Sequence, residues 1–188
     1  MKKILFLAAV VLTVAACGAS KKAATQNAQY EFQEVNVPLS EAQYKSDLSC
    51  WRAVQNGKST DLSIAKKVAI QNARTELAST VQGTIRAVIE NYARNTINGD
   101  ANEAMSQYQE LSRTVVDQKL AGSGVIAEKV LKDGNQYMYF VCIEMSKDAM
   151  KEELANQLEQ KKILNVDFNR AQFEKVYNEE MAKFEANR

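Results

Sequence analysis

Residues 61–97 read DLSIAKKVAIQNARTELASTVQGTIRAVIENYARNTI. One i, i+4 row runs through them: Ala65, Ala69, Ala73, Leu77, Val81, Ile85, Ile89, Ala93 and Ile97. Ile64, Val68, Val88 and Tyr92 widen the row into a stripe. That period predicts one long amphipathic helix, with Ser59, Thr60 and Asp61 offering its N-cap. The alanine-rich first half suits close approach to a sheet, and the bulkier second half fills space further out. Gly83 costs up to about 1 kcal/mol relative to alanine and marks either a kink or a close crossing. At 1.5 Å per residue the helix is about 50 Å long, more than a small domain covers. Its far half, Ile85 to Ile97, therefore calls for a second helix, a bend at Gly83 or a partner.

Upstream, Leu48 to Gln55 mixes β-formers and ends at Asn56-Gly57, which predicts a first strand closed by a turn. Downstream, Gly99 stops the helix, and Asp100 with Glu103 forms a capping box for the next one. That second helix carries Met105, Tyr108, Leu111, Val115 and Leu120. Gly124 to Lys132 and Gln136 to Met145 then flank Asp133-Gly134, a strong hairpin signal. The second arm is apolar at successive positions from Tyr137 to Ile143, as expected of a central strand covered on both faces or of one with an aromatic outer face. Ser146 caps a third helix with Met150, Leu154 and Leu158 in a row. Asp167 is read as the cap of a fourth, with Phe173, Val176, Tyr177, Met181 and Phe184. The expected fold is α+β: a small, mostly antiparallel sheet of about three strands packed on a long helix and further helices.

The first residues have a different character. Lys2 and Lys3 precede the almost wholly apolar Ile4 to Val14, too short to span a bilayer of roughly twenty helical residues. Val14-Ala15-Ala16-Cys17 resembles the lipobox of bacterial lipoproteins, in which the cysteine is acylated and becomes the new N-terminus. The expected organisation is a signal peptide at 1–16, an acylated N-terminus and flexible tether at 17–46, and one α+β domain at 47–188. Ser20 to Asn36 is polar and without period, and its end-to-end distance as a flexible tether is roughly 25 Å; Val35 to Pro38 begins to look ordered. One acyl chain binds a membrane only marginally, whereas two or three hold firmly. No acidic run follows Cys17, so the expected address is the periplasmic face of the cell envelope, outer membrane before inner.

Composition excludes several classes. The 188 residues contain no histidine, which removes Ser-His-Asp and Cys-His catalysis, His-ligated zinc and imidazole pH switching. The formal charge of +1 includes Lys2 and Lys3, so the mature chain is near neutral and has no broad attraction to nucleic acid. Glu152-Glu153 and Glu179-Glu180 point about 100° apart on a helix rather than at one substrate, and read as solvated faces. So do Lys66, Lys67, Arg74, Arg86 and Arg94. Gly122-Ser123-Gly124 is too short for a phosphate loop. No catalytic, cofactor or metal residue is assigned. Cys50 and Cys142 fall on two predicted strands. In an oxidising compartment they could form a disulfide; the other reading is two separately buried thiols.

WRAVQNG (51–57), AKKVAIQNARTELASTVQGTI (65–85), VVDQKLAGSGVIAEKV (115–130) and YMYFVCIEM (137–145) follow in order. This layout resembles the bacterial membrane-associated lipoprotein family named for a twenty-kilodalton antigen, over roughly Asp47 to Arg188. No catalytic residues define that family, so none is carried over. The resemblance implies an α+β envelope lipoprotein of unassigned activity, and some relatives look like parts of envelope rings, which implies self-association. The expected function is non-enzymatic: an acyl-anchored domain for structural or protein-binding duty, meeting itself or another envelope protein. The alternative is a module for a small-molecule or lipid ligand, seated in an apolar cavity between the sheet and the long helix.

Overall fold

The computed structural model describes residues 34–96, 101–161 and 168–187. The chain divides into two units, 1–35 and 36–188. The second is an α+β body in which a three-stranded antiparallel sheet, order β1-β3-β2, packs against a long helix and three further helices. Its elements run β1 (Cys50–Ser59), α1 (Leu62–Thr96), α2 (Ala101–Ala121), β2 (Gly124–Asp133), β3 (Gln136–Ser146), α3 (Lys147–Gln160) and α4 (Arg170–Ala186).

Helix α1 starts where the sequence places it. The Asp61 carboxylate accepts from the backbone of Ser63 (2.7 Å) and Ile64 (3.2 Å), satisfying N–H groups the first turn leaves open. The row from Ala65 to Ala93 is buried, and the helix continues through Gly83, where an added Cβ would meet nothing within 4 Å. Gly83 is thus not a close crossing. Ile64 and Val68 do not join the buried stripe; they are 51% and 38% exposed. Val68 borders the contact, its Cβ 2.8 Å from where a Cβ on Gly57 would lie, yet its side chain stays partly in solvent.

Gly57 makes that closeness possible, and it corrects the first strand. Asn56-Gly57 is not a turn: β1 runs through it to Ser59. A Cβ on Gly57 would lie 2.3 Å from the Ala65 carbonyl oxygen and 2.5 Å from the Ala69 nitrogen. Here glycine admits a neighbouring backbone rather than bending its own.

The far half of α1 is covered within the chain as far as Ala93, and Ile97 lies outside the described residues. Tyr92 meets Tyr108 of α2 edge-on, with ring centroids 6.0 Å apart, and Phe173 of α4 at 5.6 Å; its hydroxyl accepts from the Asn169 backbone N–H at 2.9 Å. The length of α1 therefore gives no argument for a partner. Ser146 caps α3 as expected, accepting from Ala149 N–H. The cap of α4 is Asn169, two residues beyond the expected Asp167, which lies outside the described residues together with Gly99 and Asp100.

The folded body also begins earlier than Asp47. Leu39 and Tyr44 lie on the sheet face opposite α1, where Leu39, Phe140 and Cys142 are buried and Tyr44, Val54, Ala127 and Met138 pack around them. Pro38 and Leu39 form a turn, and Leu39 has φ 59°. That left-handed conformation costs a leucine about 1–3 kcal/mol, and its burial over Phe140 offsets the strain.

Candidate functional site: an uncovered edge strand

Cys17 lies outside the described residues. Cys50 and Cys142 are both free thiols, and the ladder explains why they do not pair. Cys142 stands opposite Val54, and Cys50 opposite Ser146. Four residues of strand separate the two positions, roughly 13 Å, whereas a disulfide needs Cα atoms within about 7 Å. The two-buried-thiol reading is the closer one: Cys142 is fully buried and Cys50 partly so. Burial pushes the Cys142 thiol up to about 11 and raises that of Cys50, leaving both poor nucleophiles.

The carboxylate pairs serve the scaffold. Glu152 bonds Arg170 at 2.6 Å, Glu153 meets Lys119 at 3.2 Å, and Glu180 takes Lys183 at 2.6 Å and the Asn91 amide at 2.8 Å. Tyr139 and Phe140 are buried rather than displayed. Ala65, Ala69 and Ala73 are fully buried where α1 closes on β1, so alanine fills the space where a cavity between sheet and helix would have favoured the ligand-binding alternative. A surface cleft between α1 and α2, about 260 Å³, is lined mainly by polar side chains, among them Gln82, Arg86, Gln109 and Arg113.

A charged network, which the sequence did not suggest, joins both ends of the body. Lys147, 2% exposed, donates to the Asp47 carbonyl at 2.6 Å and bonds the Glu185 carboxylate. Its ammonium lies 5.6 Å from the centre of the Trp51 ring and 5.3 Å from that of Phe184. Beside it, Arg52 reaches Glu144 and Asp47, each at 2.6 Å. Every charge in this network has a partner, which suits a staple better than a reaction centre. The Ser49 hydroxyl, then Arg52, hold the Asp47 carboxyl well below its ordinary value of 3.8. A depressed carboxylate contributes stability that is complete above about pH 4 and drains as pH falls below that. Asp47→Asn is therefore expected to lower the urea midpoint at pH 7 and to flatten its decline between pH 4 and 2.5. A decline as steep as in the parent chain would show that Asp47 does not carry that acid limb.

Strand β2 stands apart from this scaffold. Both outer strands of the sheet have an open edge, but β1 is guarded. The Ser46 hydroxyl accepts from Arg52 N–H (2.8 Å) and donates to its carbonyl (3.2 Å), and the Asn72 amide caps the Asn56 carbonyl (2.9 Å). Those contacts also fix the ladder's phase. Arg52 and Asn56 point away from β3, so Glu144 and Phe140 opposite them point towards β2. Phe140 pairs with Lys129, and Met138 with Leu131. Hence the backbone groups of Glu128, Val130 and Lys132 face the open edge of β2, and among the described residues nothing bonds them.

No β2 side chain is fully buried, because α1 lies over β1 and β3; Ala127 alone is partly buried, against Phe140 and Cys142 on the other face. Val125, Ile126, Val130 and Leu131 are 41–44% exposed. A bulge at Val125/Ala127 interrupts the ladder near its start, leaving 127–133 regular.

No family model, curated protein or solved structure matches this chain. No described helix is long and apolar enough to cross a membrane.

Proposed function

We propose that this chain is an envelope lipoprotein, held at the periplasmic face of a membrane by acyl chains on Cys17, whose domain binds protein through the β2 edge and performs no catalysis. One observation carries the binding half of the reading. Strand β2 orders ten residues and contributes only the partly buried Ala127 to the core, yet holds four large apolar side chains in solvent. Ordering a residue costs about 1–2 kcal/mol of backbone entropy, which burial normally offsets. A strand that leaves its own cost uncovered while presenting free N–H and C=O groups is suited to receive another strand. Lys129 and Lys132 interrupt its apolar character and favour a chosen partner over indiscriminate pairing.

The anchor half rests on the cationic start, the short apolar run and the Val14–Cys17 box. The resemblance to the twenty-kilodalton-antigen lipoproteins supports the same address. A photo-crosslinking amino acid in place of Val130, in cells expressing the full chain, tests the binding half. Covalent adducts with protein are expected there, and not with the same probe in place of Lys58 on the β1 edge. Equal labelling at both positions would contradict it.

A further inference from the structure

The open edge has a charge order that names its occupant. From Ala127 to Asp133 the strand reads Ala-Glu-Lys-Val-Leu-Lys-Asp, with Glu128 and Lys132 placed symmetrically about Val130. All three offer their backbone groups to the edge and their side chains to the face on which α1 lies. We propose that the strand received by β2 is the β2 of a second copy of this chain, paired antiparallel about a two-fold axis at Val130. The inference rests on the protein-binding reading and makes it specific.

Two antiparallel copies related by an axis normal to the sheet keep both α1 helices on one side, so residues opposite each other share a face. Hydrogen-bonded pairs must then join outward-facing residues, which limits the registers. Centring on Val130 sets Val130 against its own copy and Glu128 against Lys132 of the second copy, twice by symmetry. Each such pair exchanges two backbone bonds, about six in all. On the outer face Leu131 meets the aliphatic stem of Lys129. The neighbouring registers are worse. Centring on Glu128 or Lys129 opposes like charges, which destabilises a sheet. Centring on Leu131 sets Val130 against Lys132 and runs Glu128 onto Gly134, where φ of 55° ends the strand.

Glu128 already meets Lys66 of its own chain at 2.8 Å. A carboxylate has enough lone pairs to accept a second cation as well. One added ladder is a small interface by the standards of stable complexes. Acyl anchoring confines both copies to one leaflet, and the high effective concentration makes a small interface sufficient.

The test uses the full-length, lipid-bearing chain in its own membranes. Cys50→Ser removes the accessible domain thiol, while the fully buried Cys142 stays. Val130→Cys is then compared with Lys58→Cys under mild oxidation. A disulfide-linked dimer is expected from Val130→Cys and none from Lys58→Cys. Adding Glu128→Lys should cut the yield about tenfold, because two attractive pairs become repulsive. Adding Lys132→Glu to that variant should restore it, since the pairs re-form with signs exchanged. No dimer at Val130 beyond the Lys58 level, or no rescue by the exchanged charges, overturns the proposal. The photo-crosslinker in place of Val130 separates the two readings. An adduct with a different protein and none with a second copy overturns self-pairing alone. No adduct of either kind overturns protein binding as well.

Discussion

Gly57→Ala is expected to destabilise the domain by about 3 kcal/mol, the upper part of the usual range for forcing atoms into a packed interior. The added methyl would lie 2.3 Å and 2.5 Å from backbone atoms of α1. A flexible side chain could swing aside, but a helix backbone can only lift. Lifting α1 separates Ala65, Ala69 and Ala73 from the sheet together, so the loss spreads along the interface. With a urea slope of about 2 kcal/mol per molar, the midpoint should fall by about 1.5 M. Gly83→Ala is the control, since its methyl enters open space in mid-helix, and it should stabilise by up to about 1 kcal/mol. Equal losses at the two glycines would show that close approach at Gly57 is not what the sheet–helix contact depends on.

Lys147→Ala is expected to cost about 3–5 kcal/mol, the usual effect of removing one partner from a buried ion pair. The lost ammonium leaves the Asp47 carbonyl and the Glu185 carboxylate without their donor, and the lost stem opens a gap between Trp51 and Phe184. Glu185→Gln should cost less, about 1–2 kcal/mol, because Glu185 is 19% exposed and the Asp47 carbonyl still receives Lys147. The double variant should be less destabilised than the two losses added together, since the second change removes a charge already unpaired. Chemical denaturation of the four proteins checks this, and strict additivity would contradict a shared network. The Asp47–Trp51 segment and the end of α4 both meet Lys147, so limited proteolysis of Lys147→Ala should begin in those two segments.

Much of this architecture could be read from periodicity because its causes are local. The i, i+4 row of α1, the Ser146 cap and the Asp133-Gly134 turn each follow from a short stretch, and each is present. Central placement of β3 followed from its apolar residues at consecutive positions. Failures came where a residue's role depends on distant backbone. Asn56-Gly57 has a turn's chemistry, yet the glycine is needed for a helix approaching from outside the strand. Ile64 and Val68 fit the helical period, but only the alanine row beside them is fully buried against the sheet, and these two remain 51% and 38% exposed. Cys50 and Cys142 fall on adjacent strands, and only the register shows that they stand apart.

The candidate site was less legible. Gly124 to Lys132 was visible as a strand, but its apolar residues do not reveal that the core stops at β3. Edge position is a property of sheet order, set by which strand α1 covers. The symmetric arrangement of Glu128, Val130 and Lys132 acquires meaning only once their outward backbone groups are known. Lys147 gave no local signal, since a lysine following a cap residue is ordinary on any helix. Its burial comes from Trp51, Phe184 and Glu185 converging from β1 and α4.

The domain's role depends on where it is held. Mass spectrometry of the N-terminal peptide from membrane-extracted protein tests this directly. The expected peptide begins at Cys17, lacks residues 1–16 and carries the added mass of two or three acyl chains, and Cys17→Ala releases the domain from the membrane or stops its processing. A membrane-bound protein whose peptide starts elsewhere, or whose Cys17 is unmodified, would contradict the account.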